Sequence, residues 1–166
     1  VKAQDTHVST VVIRGATANV LAEIERSIVD AVNVVRCMCV KKEVDFCAGG
    51  GAVEIEVAAK IHAVGGSHTG LEQYAIHKVA EALEVVPKTL ARNCGLDAEE
   101  TLALLNSAHH SKKQVNACVN VDAEGRTADA VGDAKGKGIY DHLGSKIWAL
   151  RLAMDAVLTV LRIQHI

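Results

Sequence analysis

The sequence predicts a mainly α-helical bundle with short β-strands, and three observations carry that reading. Of the 166 residues 49% are hydrophobic but only 2% aromatic, so the core must be Ala, Val, Leu and Ile in closely packed helices, not a sandwich or barrel. Apolar residues recur at steps of three and four over several long stretches, which is the helical period. One proline and 13 glycines argue against a disordered or low-complexity chain. The length suits one domain, or one with a small appendage.

Thr10–Arg14 is a short β-branched run closed by Gly15, the pattern of a buried strand with a turn after it. Thr17 is a candidate N-cap for a helix to about Val35, with Leu21, Ile24, Ile28, Ala31, Val32 and Val35 on one stripe. Asp30 lies roughly 150° from that stripe, on the polar face, where a solvated carboxylate is the ordinary reading. Arg36–Ala48 reads as irregular or short strand. Ala52–Val64 is helical and apolar on more than one side, as in an element buried among neighbours, and Gly65-Gly66-Ser67 is expected to break it.

Leu71–Asn93 is helical with Pro87 inside it, so a kink or two abutting helices are expected. Gly95 is a C-terminal stop signal, and Asp97 with Glu100 opens a helix to about His109 in the manner of a capping box. Val115–Asp122 alternates like a strand, and Ala123–Gly138 reads as a Gly-, Asp- and Lys-rich loop, a candidate mobile hairpin tip. A last helix, about Asp141–Leu161, carries Ile147, Leu150, Met154, Val157 and Leu161 at alternating steps; Trp148, Leu152 and Val160 widen its apolar face and predict a central position.

The most informative local feature is Gly49-Gly50-Gly51 directly before the helix at Ala52. Glycine lets the backbone take positive φ and press against a ligand, and a helix start presents N–H groups to anions. By itself the triplet reads more readily as a flexible connector than as a phosphate cradle. Asp141, ahead of the last helix, reads on spacing alone as a helix cap. Paired carboxylates such as Glu54/Glu56 do not converge on a helix and read as solvated or salt-bridged.

The net charge of −2 gives no electrostatic reason to propose nucleic acid or an anionic membrane as a partner. No apolar run approaches the ~20 residues of a membrane span, and Val1–Asp5 has no signal-peptide pattern. Five cysteines without a Cys-x-x-Cys spacing read as free thiols of a reducing, cytoplasmic compartment. Cys37-Met38-Cys39 has no second ligand pair at zinc spacing, so no metal-binding set is expected. No Gly-x-Ser-x-Gly, His-Glu-x-x-His or Gly-Lys-Ser/Thr motif is present.

Taken in order, these pieces resemble one known arrangement. Thr10-Val-Val-Ile-Arg-Gly15, Glu25-Arg-Ser-Ile-Val-Asp-Ala31, Gly49-Gly-Gly-Ala-Val-Glu54, Ala80–Pro87, Asn93-Cys-Gly-Leu-Asp97, Gly138-Ile-Tyr-Asp141 and Thr159–Ile163 are collinear with signatures of the group II chaperonins. The resemblance covers nearly the whole chain and corresponds to about the C-terminal third of such a subunit.

It implies that residues 1–36 form the C-terminal part of an intermediate domain and residues 37–166 the C-terminal half of a helical equatorial ATP-binding domain. It further implies ATP-driven folding of cytosolic client proteins in a double ring with other chaperonin subunits. Asp30 matches the carboxylate that activates the attacking water, Gly49, Gly50 and Gly51 the loop against the nucleotide, Asp141 the acid on the ribose, and Lys146 a neighbouring lysine. The family's Gly-Asp-Gly-Thr-Thr phosphate loop and Mg²⁺-binding Asp are not in this sequence, nor is the apical domain that contacts clients. The segment alone is therefore expected to be inactive and to show self-association or partial disorder, at Arg36–Ala48 and Ala123–Gly138. The alternative is a non-catalytic helical assembly module of the same fold.

Three departures bear on the site. The family's proline before the triple glycine is Ala48, which predicts a looser loop, ordered only by a ligand or by the missing half. Its Gly-Val-Asp signature is Cys118-Val119-Asn120, and its proline after the ribose acid is His142.

Overall fold

The computed structural model describes residues 8–41, 45–111, 113–123 and 127–163. The chain divides into two compact units, Val1–Val44 and Asp45–Ile166. The first holds one long helix, α1 (Ala18–Lys41). Thr17 starts it: its Oγ1 accepts from the Val20 N–H at 3.3 Å and its carbonyl from Leu21 at 3.1 Å. The helix passes the expected end at Val35 because Arg36–Lys41 contains neither glycine nor proline to stop it. Thr10–Arg14, expected as a buried strand, joins no ladder; Val11 and Val12 are exposed. Asp30 is exposed on α1.

The second unit runs β1 (Phe46–Ala48), α2 (Ala52–Ser67), α3 (Glu72–Leu83), α4 (Val85–Asn93), α5 (Ala98–His110), β2 (Ala117–Val119), β3 (Val131–Asp133), α6 (Ala134–Lys137), β4 (Tyr140–His142) and α7 (Leu143–Ile163). Two antiparallel strand pairs, β1 with β4 and β2 with β3, stand among the helices. The core is aliphatic: Ile55 of α2, Ala91 of α4, Leu102 and Leu105 of α5, and Val119 of β2 form one buried cluster with Ala130.

Local chemistry explains most boundaries. Pro87 sits in the first turn of α4, where its missing N–H costs no helical bond, and the expected break is a pair of abutting helices. Gly95, at φ 74°, ends α4: Leu96 N–H reaches the Ala91 carbonyl (2.9 Å) and Gly95 N–H the Arg92 carbonyl (3.0 Å). That pair of bonds is a Schellman closure, and Leu96 and Ala91 both enter the core. Asp97 Oδ1 accepts from Glu100 N–H at 2.8 Å and caps α5.

Three expectations are corrected. Gly65-Gly66-Ser67 does not break α2, which continues to Ser67. Gly65 instead makes room for α3, since a Cβ there would stand 2.8 Å from the His77 ring. The stretch 123–138 is not all loop: β3 pairs with β2, and α6 follows, capped by Asp133 and closed by Gly138 at φ 68°. Residues 42–44 and 124–126, within the two segments expected to be disordered, lie outside the described residues. Finally, α7 is not central. None of its residues is buried, and Trp148, Leu152, Val157 and Val160 are exposed. Among the described residues of the second unit no element covers its wide apolar face.

Candidate functional site

The triple glycine bridges β1 to α2, and every member meets a different part of the unit. Gly49 donates its N–H to the Ile139 carbonyl at 3.1 Å, and a Cβ on it would stand 3.3 Å from the Asp141 carboxylate. Gly50, at φ 65°, accepts from Val119 N–H at 2.9 Å and lies against Cys118, where a Cβ would be 3.0 Å from that side chain. Gly51, at φ 87°, is the N-cap residue of α2, and a Cβ would stand 2.8 Å from Pro87. Both the positive φ and the close approach demand glycine at positions 50 and 51. The loop's shape is thus set by protein contacts to β4, β2 and α4. This corrects the expectation that Ala48, in place of proline, leaves it dependent on a ligand.

Asp141 lies in β4, not at the helix cap that spacing suggested. Cross-strand pairing sets it opposite Cys47 of β1, with Phe46 opposite His142 and Ala48 opposite Tyr140. The Cys47 thiol donates to the Asp141 carbonyl at 3.5 Å. Burial, and then the Asp141 charge, push the Cys47 thiol above its ordinary range. The capping role expected of Asp141 falls to His142, whose Nδ1 accepts from Ser145 N–H at 3.2 Å and lies 2.9 Å from its hydroxyl. His142 is buried.

Lys146, on the first turn of α7, reaches back between two carboxylates. Its Nζ is 2.9 Å from Asp141 Oδ2 and bonds Glu54 Oε1. Partial burial works against a charge on Lys146, but its hydrogen bonds to Glu54 and Asp141 outweigh it and hold the ammonium above its ordinary range. Glu54 is the residue that sequence reasoning missed. It sits in the first turn of α2, is 7% exposed, and its Oε2 has no partner among the described residues. Its place between Ala52, Ile55 and Ala58 on the buried face was the available signal.

The structure therefore brings Gly49, Gly50, Gly51, Asp141 and Lys146 together in the second unit. Asp30 belongs to the first. The doubtful signature Cys118-Val119-Asn120 enters β2 and its exit: Cys118 is buried, and Asn120 Nδ2 donates to the Asp129 carbonyl at 2.8 Å while its Oδ1 bonds Lys137. Asn120 thus ties the β2–β3 hairpin together.

Chemically, the arrangement is a backbone cradle beside a carboxylate with spare acceptor capacity. Lys146 takes Oδ2 of Asp141, a carboxylate offers about four lone-pair sites, and the Asp141 side chain is 40% exposed. Such a wall fits a ligand carrying hydroxyl donors, and the cap of α2 uses no side chain. Among the described residues no group of three or more His, Cys, Asp or Glu is placed to hold a metal ion. No described helix is long and apolar enough to cross a membrane.

Comparison with known proteins places these features. Residues 1–166 match the TCP-1/cpn60 chaperonin family. The chain is 40% identical to T-complex protein 1 subunit theta of Homo sapiens over 163 residues, 98% of this chain and 29% of that protein. It is 39% identical to the Arabidopsis thaliana theta subunit over 96% of the chain and 28% of that protein. Among solved structures, it is similar to the open-state monomer of a group II chaperonin from Methanococcoides burtonii. The TM-score is 0.68 and the identity 32%, over 89% of this chain and 35% of that one. The chain thus spans less than a third of the length of these curated relatives.

Proposed function

The chain belongs to the TCP-1/cpn60 chaperonin family, and from that premise we propose that it is the C-terminal part of an ATP-driven, cytosolic protein-folding subunit. Residues 1–36 complete the intermediate domain and residues 37–166 the equatorial domain. The observation that supports this most is the close approach of Gly49 to Asp141, where a Cβ would stand 3.3 Å from the carboxylate, so that the glycine loop and the carboxylate lie side by side.

Each residue then has a role set by its chemistry. Gly49, Gly50 and Gly51 let a nucleotide lie against bare backbone. Asp141 accepts from ribose hydroxyls through the oxygen that Lys146 leaves available, and Lys146 offsets the charge of two nearby carboxylates. Asp30, exposed on the polar face of α1, orients the attacking water as a carboxylate does in phosphoryl transfer. ATP supplies the phosphoanhydride bond whose cleavage drives ring closure around a client. Mg²⁺ belongs to the same reading, with its ligands in the part of the subunit that carries the Gly-Asp-Gly-Thr-Thr loop. The partners are other chaperonin subunits of a double ring and unfolded clients bound by the apical domain.

Turnover assays test the reading. The 166-residue chain alone should show negligible ATP hydrolysis, and in the whole subunit Asp30→Ala should abolish hydrolysis while leaving nucleotide binding. Mg²⁺-dependent turnover by the isolated chain that Asp30→Ala abolishes would contradict it. A whole subunit that binds no nucleotide would favour the non-catalytic assembly module.

A further inference from the structure

We infer that Glu54 is a positioning residue for Asp141, acting through Lys146, so that the ribose-facing carboxylate is aimed from the buried end of α2. The inference rests on the nucleotide reading of the site and names the device that gives it specificity.

Backbone pairing fixes Asp141 only as far as its Cα, because the β1–β4 register says nothing of the side-chain rotamer. What remains to hold the carboxylate is Lys146, at 2.9 Å from Oδ2. A lysine is a flexible point charge on a four-carbon stem, so it can aim a partner only if it is itself held. Glu54 holds it. Its carboxylate is buried, rigidly placed in the first turn of α2, and bonded to the same Nζ through Oε1. The order of anchoring is therefore helix α2, Glu54, Lys146, Asp141.

Stability alone does not account for Glu54. Its Oε2 has no hydrogen-bond partner among the described residues, and a buried carboxylate with an unmet oxygen is costlier than an apolar side chain of the same volume. Two sources of positive potential make the charge tolerable: the Lys146 ammonium and the N-terminal end of α2. Both lie at the glycine loop. The geometry also sets the charge balance of the wall. Two carboxylates share one ammonium, leaving a net negative charge that favours hydroxyl donors over phosphate oxygens at this point.

The test is Glu54→Gln, which keeps the shape and removes the charge. In the 166-residue chain, NMR of the Lys146 side chain should show its titration falling from above its ordinary value to that value or below, with a shifted Asp141 carboxyl resonance. In the whole subunit the preference for ATP over 2′,3′-dideoxy-ATP should be lost, as it should be in Asp141→Asn, while Glu54→Asp should keep part of it. If Glu54→Gln does not fold, Glu54→Met replaces it with an uncharged side chain of similar volume. An unchanged Lys146 titration overturns the inference. So does a native preference for ATP that Asp141→Asn abolishes and Glu54→Gln leaves intact. A native subunit without any such preference overturns the nucleotide reading instead, and the Lys146 titration still decides whether Glu54 holds the lysine.

Discussion

The Lys146 ammonium lies 2.9 Å from Asp141 Oδ2 and is bonded on its other side by Glu54, a residue 92 positions earlier in the chain. That bridge ties the start of α7 to the start of α2 across the candidate site, and its loss should be felt first in stability. Lys146→Met leaves the Glu54 carboxylate buried and unpaired, which should cost about 3–5 kcal/mol. Glu54→Met with Lys146→Met should recover most of that loss, as urea denaturation at neutral pH will show.

The same bridge predicts a pH dependence with a definite sign. A lysine whose folded value is raised contributes stability that is complete below the unfolded value and lost as pH climbs through the folded one. The native chain should therefore lose its advantage over Lys146→Met above the ordinary lysine value of 10.5, and show no such convergence below it. Denaturation midpoints measured on both chains across the alkaline range check this.

Gly51→Ala should destabilise the chain by about 1–2 kcal/mol from the left-handed backbone alone. The clash adds to this, because the new Cβ would meet Pro87 at 2.8 Å. Gly66→Ala, at a helical position with open space around the new Cβ, should be neutral or stabilising. Chemical denaturation of the two variants separates these outcomes.

Buried His109 links three elements: Nδ1 is 3.2 Å from Glu56 Oε2 and Nε2 is 2.9 Å from the Ala117 carbonyl. His109→Leu keeps the volume but leaves that carbonyl and the Glu56 oxygen without their partner. The expected cost is about 2–3 kcal/mol, read as a lowered denaturation midpoint.

The apolar face of α7 should drive association. Trp148, Leu152, Val160 and Leu161 are between 49% and 62% exposed, and exposed apolar surface promotes association. Light scattering should report concentration-dependent oligomers of the 166-residue chain, reduced by Leu152→Glu with Val160→Glu. A monodisperse monomer at high concentration would contradict this.

The sequence made the helices legible wherever a local signal punctuated them. Asp97 caps α5, Gly95 closes α4, and Pro87 separates α4 from α3, each by chemistry confined to a few residues. What it hid was long-range. Arg36–Ala48 reads only as irregular or short strand because the partner of Phe46–Ala48 is the distant Tyr140–His142, and the pairing of Cys47 with Asp141 is what moves Asp141 from a helix cap into a sheet. Gly65 looked like a helix stop because nothing local reveals that His77 needs the space of its side chain. Glu54 read as solvated or salt-bridged with no partner named, for the same reason: the cation it pairs with, Lys146, is on the last helix. The stripe on α7 misled in the opposite sense, since an apolar face shows what can be buried and not what covers it.

The measurement closest to the central proposal is the ATP affinity of the whole subunit carrying this sequence, native against Asp141→Ala, with stability monitored in parallel. If the glycine loop and Asp141 are one wall of a nucleotide site, affinity should fall by about tenfold or more, a loss of at least about 1.4 kcal/mol of binding energy, with the fold intact. Equal affinity in the two proteins would contradict it.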